Sequence, residues 1–211
     1  PPAPLKPTHG APDAYLLDFA VRRMDTLAGN GSPFLATILT VSNHQPYYIP
    51  EKYRDPDKAE WEQAVAFSDD ALRQFFAKAA TRTWFDSTLF VLVADHGNAN
   101  DNTYPLSLSY FHSPLIFYAP AFLAPQSLEC MASQTDIFPT IMGILGLPYY
   151  NNTFGIDLLR ESRPYTSMMN SSGYGIIGKE WYLVYLTDSG KKSLYHYRDG
   201  DPADHIAQHP D

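Results

Sequence analysis

Between Leu89 and Asp101 the sequence reads LFVLVADHGNAND: an apolar run ends in a carboxylate, an imidazole and a glycine in direct succession. The run suits a buried strand, and a polar pair at its mouth is costly to bury unless something binds it. Asp95 offers a hard anionic oxygen and His96 a borderline nitrogen. That pairing suits Mn²⁺ or Zn²⁺, and Mg²⁺ less well. A cation would stabilise the carboxylate and fix the imidazole tautomer, while Gly97 turns the chain. A simpler alternative has Asp95 capping the turn and His96 tying the loop by hydrogen bonds; the pair alone leaves both readings open.

A second polar cluster follows another apolar run. Phe34 to Val41 leads into Ser42, Asn43 and His44. Ligands of open parallel sheets sit outside the carboxyl ends of the strands, so parallel strands at 34–41 and 89–94 would bring both clusters to one rim. His44 could donate to a phosphate or sulfate oxygen, or it could hold its own loop. His112, in YFHSPLIFYAP, precedes an apolar run and would lie at the opposite rim, where a structural histidine is the competing reading. Asp69 and Asp70 fall inside a helical pattern, where neighbours point about 100° apart; they are not an acid/base dyad. One is expected to face inward and orient a loop, the other to be solvated. No P-loop, G-x-S-x-G elbow or C-x-x-C occurs.

The elements that must position these residues follow from periodicity. Residues 12–31 carry apolar side chains at Leu16, Phe19, Ala20, Met24 and Leu27, a helical stripe closed by Gly29 and Gly31. Residues 57–80 repeat the pattern at Trp61, Val65, Ser68, Leu72, Phe75 and Ala79. Unbroken apolar runs at 34–41, 89–94 and 114–120 suit strands covered on both faces. SQTDIFPTIMGILGLP is a short helix with Asp136 as N-cap, Pro139 in its first turn and Gly146 at its end. From about residue 172 to 198 the composition turns to Tyr, Trp, Val and Leu around a DSGK turn, which reads as an antiparallel hairpin or three-stranded sheet. The order predicts an α/β layered sheet with helices on both faces and a small antiparallel appendage: residues 10–165 form the main part, 166–211 the appendage.

Composition narrows the function. The 211 residues are 45% hydrophobic and 18% charged, enough for a core. The net charge of −8 and the lack of a basic stripe argue against nucleic acid. No apolar run reaches the roughly 18 residues of a membrane span. Cys130 is the single cysteine, so no disulfide framework exists. The Pro-rich lead-in, residues 1–11, has no signal-peptide core; the expectation is a portion of a longer protein.

Laid side by side, FLATILTVSNHQPYYIPEKY, AVAFSDDALRQFF, LFVLVADHG, SPLIFYAP and SQTDIFPTIMGILGLPYYNNTFGIDLL follow the order and spacing of the alkaline-phosphatase-like superfamily. They most resemble its sulfatase-type branch of lipoteichoic acid synthases and phosphoglycerol transferases. SLYHYRDGDPAD is similar to the closing LYDL-x-x-DP-x-E hairpin of sulfatases. The resemblance implies an alkaline-phosphatase-like fold whose N-terminal part precedes this chain. It implies that Asp95 and His96 are metal ligands, usually for Mn²⁺, and that His44 binds the phosphoryl group of glycerol phosphate. Asn43 and His112 are further candidates beside these. Asp136 matches the acid of a structural D-x-x-PT segment, and Asp69 an acidic helix position.

Branch members attack with a threonine that also touches the metal, and a glutamate completes the site. Both lie N-terminal to every motif here, so no catalytic nucleophile is assigned in this chain, its metal site is incomplete, and by itself it is expected to be inactive. Cys130 cannot replace the modified cysteine of C-x-P-x-R, since Ala132 and Gln134 occupy the Pro and Arg positions. The parent would move phosphoglycerol from a lipid donor to a glycan or polymer acceptor. It would work outside the cytoplasmic membrane, tethered by preceding helices. A phosphoesterase or sulfatase of the same superfamily is the alternative; a non-catalytic carbohydrate- or partner-binding module is the alternative of another class.

Overall fold

The computed structural model describes residues 10–209. The Pro-rich lead-in up to residue 9 lies outside the described residues. The chain divides into two compact units, one built from residues up to Phe90 together with Tyr118–Ala124, the other from Val91–Phe117 and the residues after Ala124.

In the first unit, helix α1 (Asp13–Ala28) packs along helix α2 (Glu60–Ala79). The inward stripe of α1 is Leu17, Ala20, Val21 and Met24; it shares Ala20 and Met24 with the stripe expected from sequence, while Phe19 is exposed. In α2 the buried apolar set is Ala64, Phe67, Ala71, Phe75 and Ala79, while Trp61 and Val65 face solvent. The buried alanines Ala20, Ala64, Ala71 and Ala79 let the two backbones approach closely. Lys78 Nζ on Asp18 (2.6 Å) and Trp84 Nε1 on Asp25 (2.8 Å) tie the pair at its edge. An aromatic cluster of Phe75, Phe76, Phe85, Phe90 and Tyr118 completes this core, mostly by edge-on ring contacts.

The predicted strand at 34–41 does not form a ladder among the described residues. A strand exists only through neighbouring strands that take its backbone hydrogen bonds, and this stretch pairs with no strand among the described residues. Leu35 and Leu39 stand 90% and 80% exposed accordingly.

Strand β1 (Phe90–Val93) carries the chain into the second unit and pairs with β2 (Leu115–Tyr118) in a two-stranded sheet. Between them lies the short helix α3 (Leu108–Phe111). Helix α4 (Ile137–Leu145) ends at Gly146, whose φ of 63° needs a residue without a Cβ. The C-terminal sheet has four antiparallel strands in sequence order, β3 (Tyr165–Asn170), β4 (Gly173–Gly178), β5 (Trp181–Leu186) and β6 (Lys192–His196). That is one strand more than predicted. The extra one, YTSMMN, alternates too weakly in sequence to stand out, yet Met168 pairs with Gly175 across β4 and packs inward.

One face of this sheet buries Tyr182, Val184 and Tyr195 against Tyr104 and Leu106, with Leu108 and Phe111 of α3 at the edge. Tyr182 is fully buried, and its hydroxyl donates to the carbonyl of Leu106 (3.1 Å). Burial pushes that phenol well above its ordinary pKa, so it stays a donor. The sheet thereby fixes the segment leading from the Asp95–His96 pair into α3.

Candidate functional site

Asp95 and His96 follow β1 where the chain bends out of the strand. Asp95 Oδ1 accepts from the backbone N–H of His96 (2.9 Å), which turns the second carboxylate oxygen outward. The imidazole is held twice. Its Nδ1 lies 2.7 Å from the carbonyl of Gly97, and its ring stacks on Tyr110 at 4.4 Å and 18°. With Nδ1–H given to a carbonyl, Nε2 carries the lone pair, the usual second-shell device of a metal-binding histidine. Asp95 Oδ2 and His96 Nε2 are 3.7 Å apart and both side chains are solvent-accessible.

Two ligands at about 2.0–2.2 Å from one ion lie roughly 3–3.5 Å apart at ordinary coordination angles, close to the 3.7 Å between these two atoms. The capping hydrogen bond expected of Asp95 is present through Oδ1, while Oδ2 is left exposed. The donor set of hard oxygen and imidazole nitrogen fits Mn²⁺ or Zn²⁺. Among the described residues no group of three or more His, Cys, Asp or Glu is placed to hold a metal.

Gly97 explains itself at close range. Its N–H donates to the carbonyl of Tyr110 (2.7 Å), and a Cβ at this position would collide with the carbonyl oxygen of Ser109. Ser109 Oγ donates to the carbonyl of Asn98 (2.7 Å), closing the 97–98 segment onto α3. His112 ends α3, its N–H donating to the carbonyl of Leu108 (3.0 Å), and its side chain is exposed.

Two residues near the pair escaped the sequence reading. Tyr110 supplies the stacking face for His96. Gln134 Nε2 donates to the carbonyls of both Ala94 and Asp95, each at 2.9 Å. Neither has a local sequence signal, because each acts across a separation the motif does not span. Asp136 was expected to cap α4 and does not. Its carboxylate, 0% exposed, accepts from the N–H groups of Ser133 (2.7 Å) and Ile156 (2.9 Å) and pairs with Arg163. A buried acid takes the partners that neutralise it, and a guanidinium outcompetes a helix terminus.

In the first unit, His44 sits on the loop after Ser42, with Asn43 exposed beside it. Its N–H donates to the carbonyl of Val41 (3.0 Å), and its Nδ1 lies 2.6 Å from the carbonyl of Gln45. The base of the loop is pinned by buried Asp13: its Oδ1 accepts from the N–H groups of Val41 (2.9 Å) and Ser42 (3.0 Å), and its own N–H donates to Ser42 Oγ (2.9 Å). Asp70 accepts from the Tyr53 hydroxyl, Arg73 and Gln74, so it orients the turn at 51–53, while Asp69 is exposed. The Tyr53 hydroxyl first, then Arg73, hold the Asp70 carboxyl well below the usual carboxylate range.

The sulfatase family model matches residues 2–147. The chain is 24% identical over 189 residues to the lipoteichoic acid synthase-like YvgJ of Bacillus subtilis, covering 77% of this chain and 30% of that protein. It is 27% identical over 186 residues to phosphoglycerol transferase I of Xanthomonas euvesicatoria, covering 83% of this chain and 26% of that protein. A crystal structure of an alkaline phosphatase superfamily protein from Vibrio parahaemolyticus superposes with a TM-score of 0.81 at 26% identity, covering 93% of this chain and 49% of that one. The chain thus spans less than half of each of these relatives, and its fold is alkaline-phosphatase-like.

Proposed function

The chain belongs to the sulfatase family, and on that premise we propose that it is the C-terminal part of the catalytic domain of a metal-dependent phosphoglycerol transferase. The observation that carries this reading is the outward convergence of Asp95 Oδ2 and His96 Nε2, 3.7 Å apart on a stacked and hydrogen-bonded imidazole. The names of the similar proteins from Bacillus and Xanthomonas favour transfer of phosphoglycerol over other phosphoryl or sulfuryl chemistry.

Asp95 and His96 would hold a divalent cation, Mn²⁺ foremost, as two of its ligands. When bound, such a cation supplies Lewis-acid stabilisation of charge on a transferring phosphoryl group. The His96–Gly97 hydrogen bond and the Tyr110 ring keep Nε2 aimed without reorganisation at the moment of reaction, which is the origin of most electrostatic catalysis. His44 would donate a hydrogen bond to a non-bridging phosphoryl oxygen, from a loop held at its base by Asp13. The nucleophile, a threonine in this reading, and the remaining ligand come from residues N-terminal to this chain. The donor is a phosphoglycerol-bearing lipid, the acceptor a glycan or polymer, and the domain works outside the cytoplasmic membrane.

The test uses the complete protein, titrated calorimetrically with Mn²⁺ and assayed for phosphoglycerol transfer. Asp95→Ala and His96→Ala should each abolish measurable Mn²⁺ binding and lower transfer by at least about 100-fold. Unchanged binding in both variants would remove the metal role. Release of free glycerol phosphate without transfer would assign a phosphoesterase instead.

A further inference from the structure

We infer that Gln134 is a positioning residue for the Asp95–His96 pair, and that its carboxamide is a clamp between the α4 entry and the end of β1. The two protons of one amide reach two consecutive carbonyls, Ala94 and Asp95, at 2.9 Å each. Successive residues of a strand face opposite ways, so a single amide can hold both carbonyls only where the chain has bent. The clamp therefore selects the bent backbone that turns Asp95 and His96 out of the strand direction. The wider inference about metal placement rests on the reading of Asp95 and His96 given above; the clamp itself does not.

The clamp has a rigid base. Gln134 opens a single 3-10 turn, Gln134–Asp136, in which Ser133 donates to Asp136 Oδ2 (2.7 Å) and Asp136 N–H donates back to the Ser133 carbonyl (2.9 Å). Asp136 in turn is buried, pairs with Arg163 and accepts from the N–H of Ile156. The chain of contacts runs from Arg163 through Asp136 and the turn to the Gln134 amide. From there it reaches the backbone of the pair. Tyr110 holds the next two residues, its ring stacking on His96 and its carbonyl accepting from the Gly97 N–H. The pair is thus gripped between two supports, and the Gln134 side chain, itself exposed, is the one removable without opening a core.

The experiment compares the complete protein with Gln134→Met, which keeps the length but loses both donors, and Gln134→Glu, which points a carboxylate at two carbonyls. Backbone amide exchange over residues 94–98 is followed by mass spectrometry in chelator, and Mn²⁺ affinity by calorimetry. The expected result is faster exchange at 94–98 in both variants, with the peptides of β3–β6 protected as in the wild type. Mn²⁺ binding should weaken about 10-fold in Gln134→Met and further in Gln134→Glu, the scale of outer-shell changes at metal sites. Wild-type exchange at 94–98 in both variants overturns the clamp. Faster exchange with unchanged Mn²⁺ affinity overturns its service to the pair, and exchange raised throughout the protein overturns it in favour of a general structural role. Equal Mn²⁺ affinity in the wild type and Asp95→Ala would instead sink the metal reading, while the exchange measurement still decides the clamp.

Discussion

Asp13 shows how much one buried carboxylate can organise. It opens α1, where an acid is favoured by the helix dipole, and the same side chain satisfies two backbone N–H groups below the His44 loop. Asp13→Ala leaves both donors without that acceptor in a buried place, a loss of about 1–3 kcal/mol for an unsatisfied buried group. Urea unfolding should report a lower midpoint at unchanged slope, and a wild-type midpoint would contradict the role. The contrast between Asp95–His96 and Gln134 marks what residue types reveal. An acid and an imidazole at the end of an apolar run signal themselves, because each is chemically out of place there. A glutamine in a polar loop is ordinary, and only the fold discloses which carbonyls it meets.

At the scale of elements, periodicity located both long helices to within a few residues and part of each buried face, Ala20 and Met24 in α1 and Phe75 and Ala79 in α2. The rest of each face was set by packing, which buries Ala64 and Ala71 and leaves Trp61 outside. The strand at 34–41 failed for a related reason, since pairing is a property of two segments and the apolar run describes one. The tail after β6 offers a pH test. His205 Nε2 lies 3.0 Å from Asp201 Oδ2, and that carboxylate, with Gln208 and the nearby Asp204, raises the imidazole above its ordinary pKa of 6.5. A raised folded pKa means a contribution fully present below pH 6.5 and lost as pH rises through the folded value. Asp201, lowered from 3.8 chiefly by the Ala203 N–H and then by His205, loses its part only as pH falls through its depressed value. The pair is therefore strongest between these limits. An NMR titration of His205 should give a midpoint above 6.5 that falls back in Asp201→Asn; equal midpoints would deny the pairing.

Over the whole molecule, the superfamily was legible because five motifs recur in one order, a pattern that no single element carries. The partition into two units was not, because β1 and β2 feed both and sequence has no marker for where contacts thin. The net charge of −8 has a consequence for cations. Its field reaches about 30 Å at 0.01 M salt and about 8 Å at 0.15 M, so Mn²⁺ at the proposed Asp95–His96 site should bind several-fold more weakly at the higher ionic strength; a salt-independent affinity by calorimetry would show that the long-range field is irrelevant. The hydrogen bond from Tyr182 to Leu106 spans 76 positions, and Leu106 leads into the α3 residues on which His96 and Gly97 rest. A ribosome that has just delivered Asp95 and His96 has not yet made the tyrosine that props up their neighbours. Translation therefore finishes the scaffold well after the two side chains it serves, and a nascent chain stopped short of β5 lacks that prop.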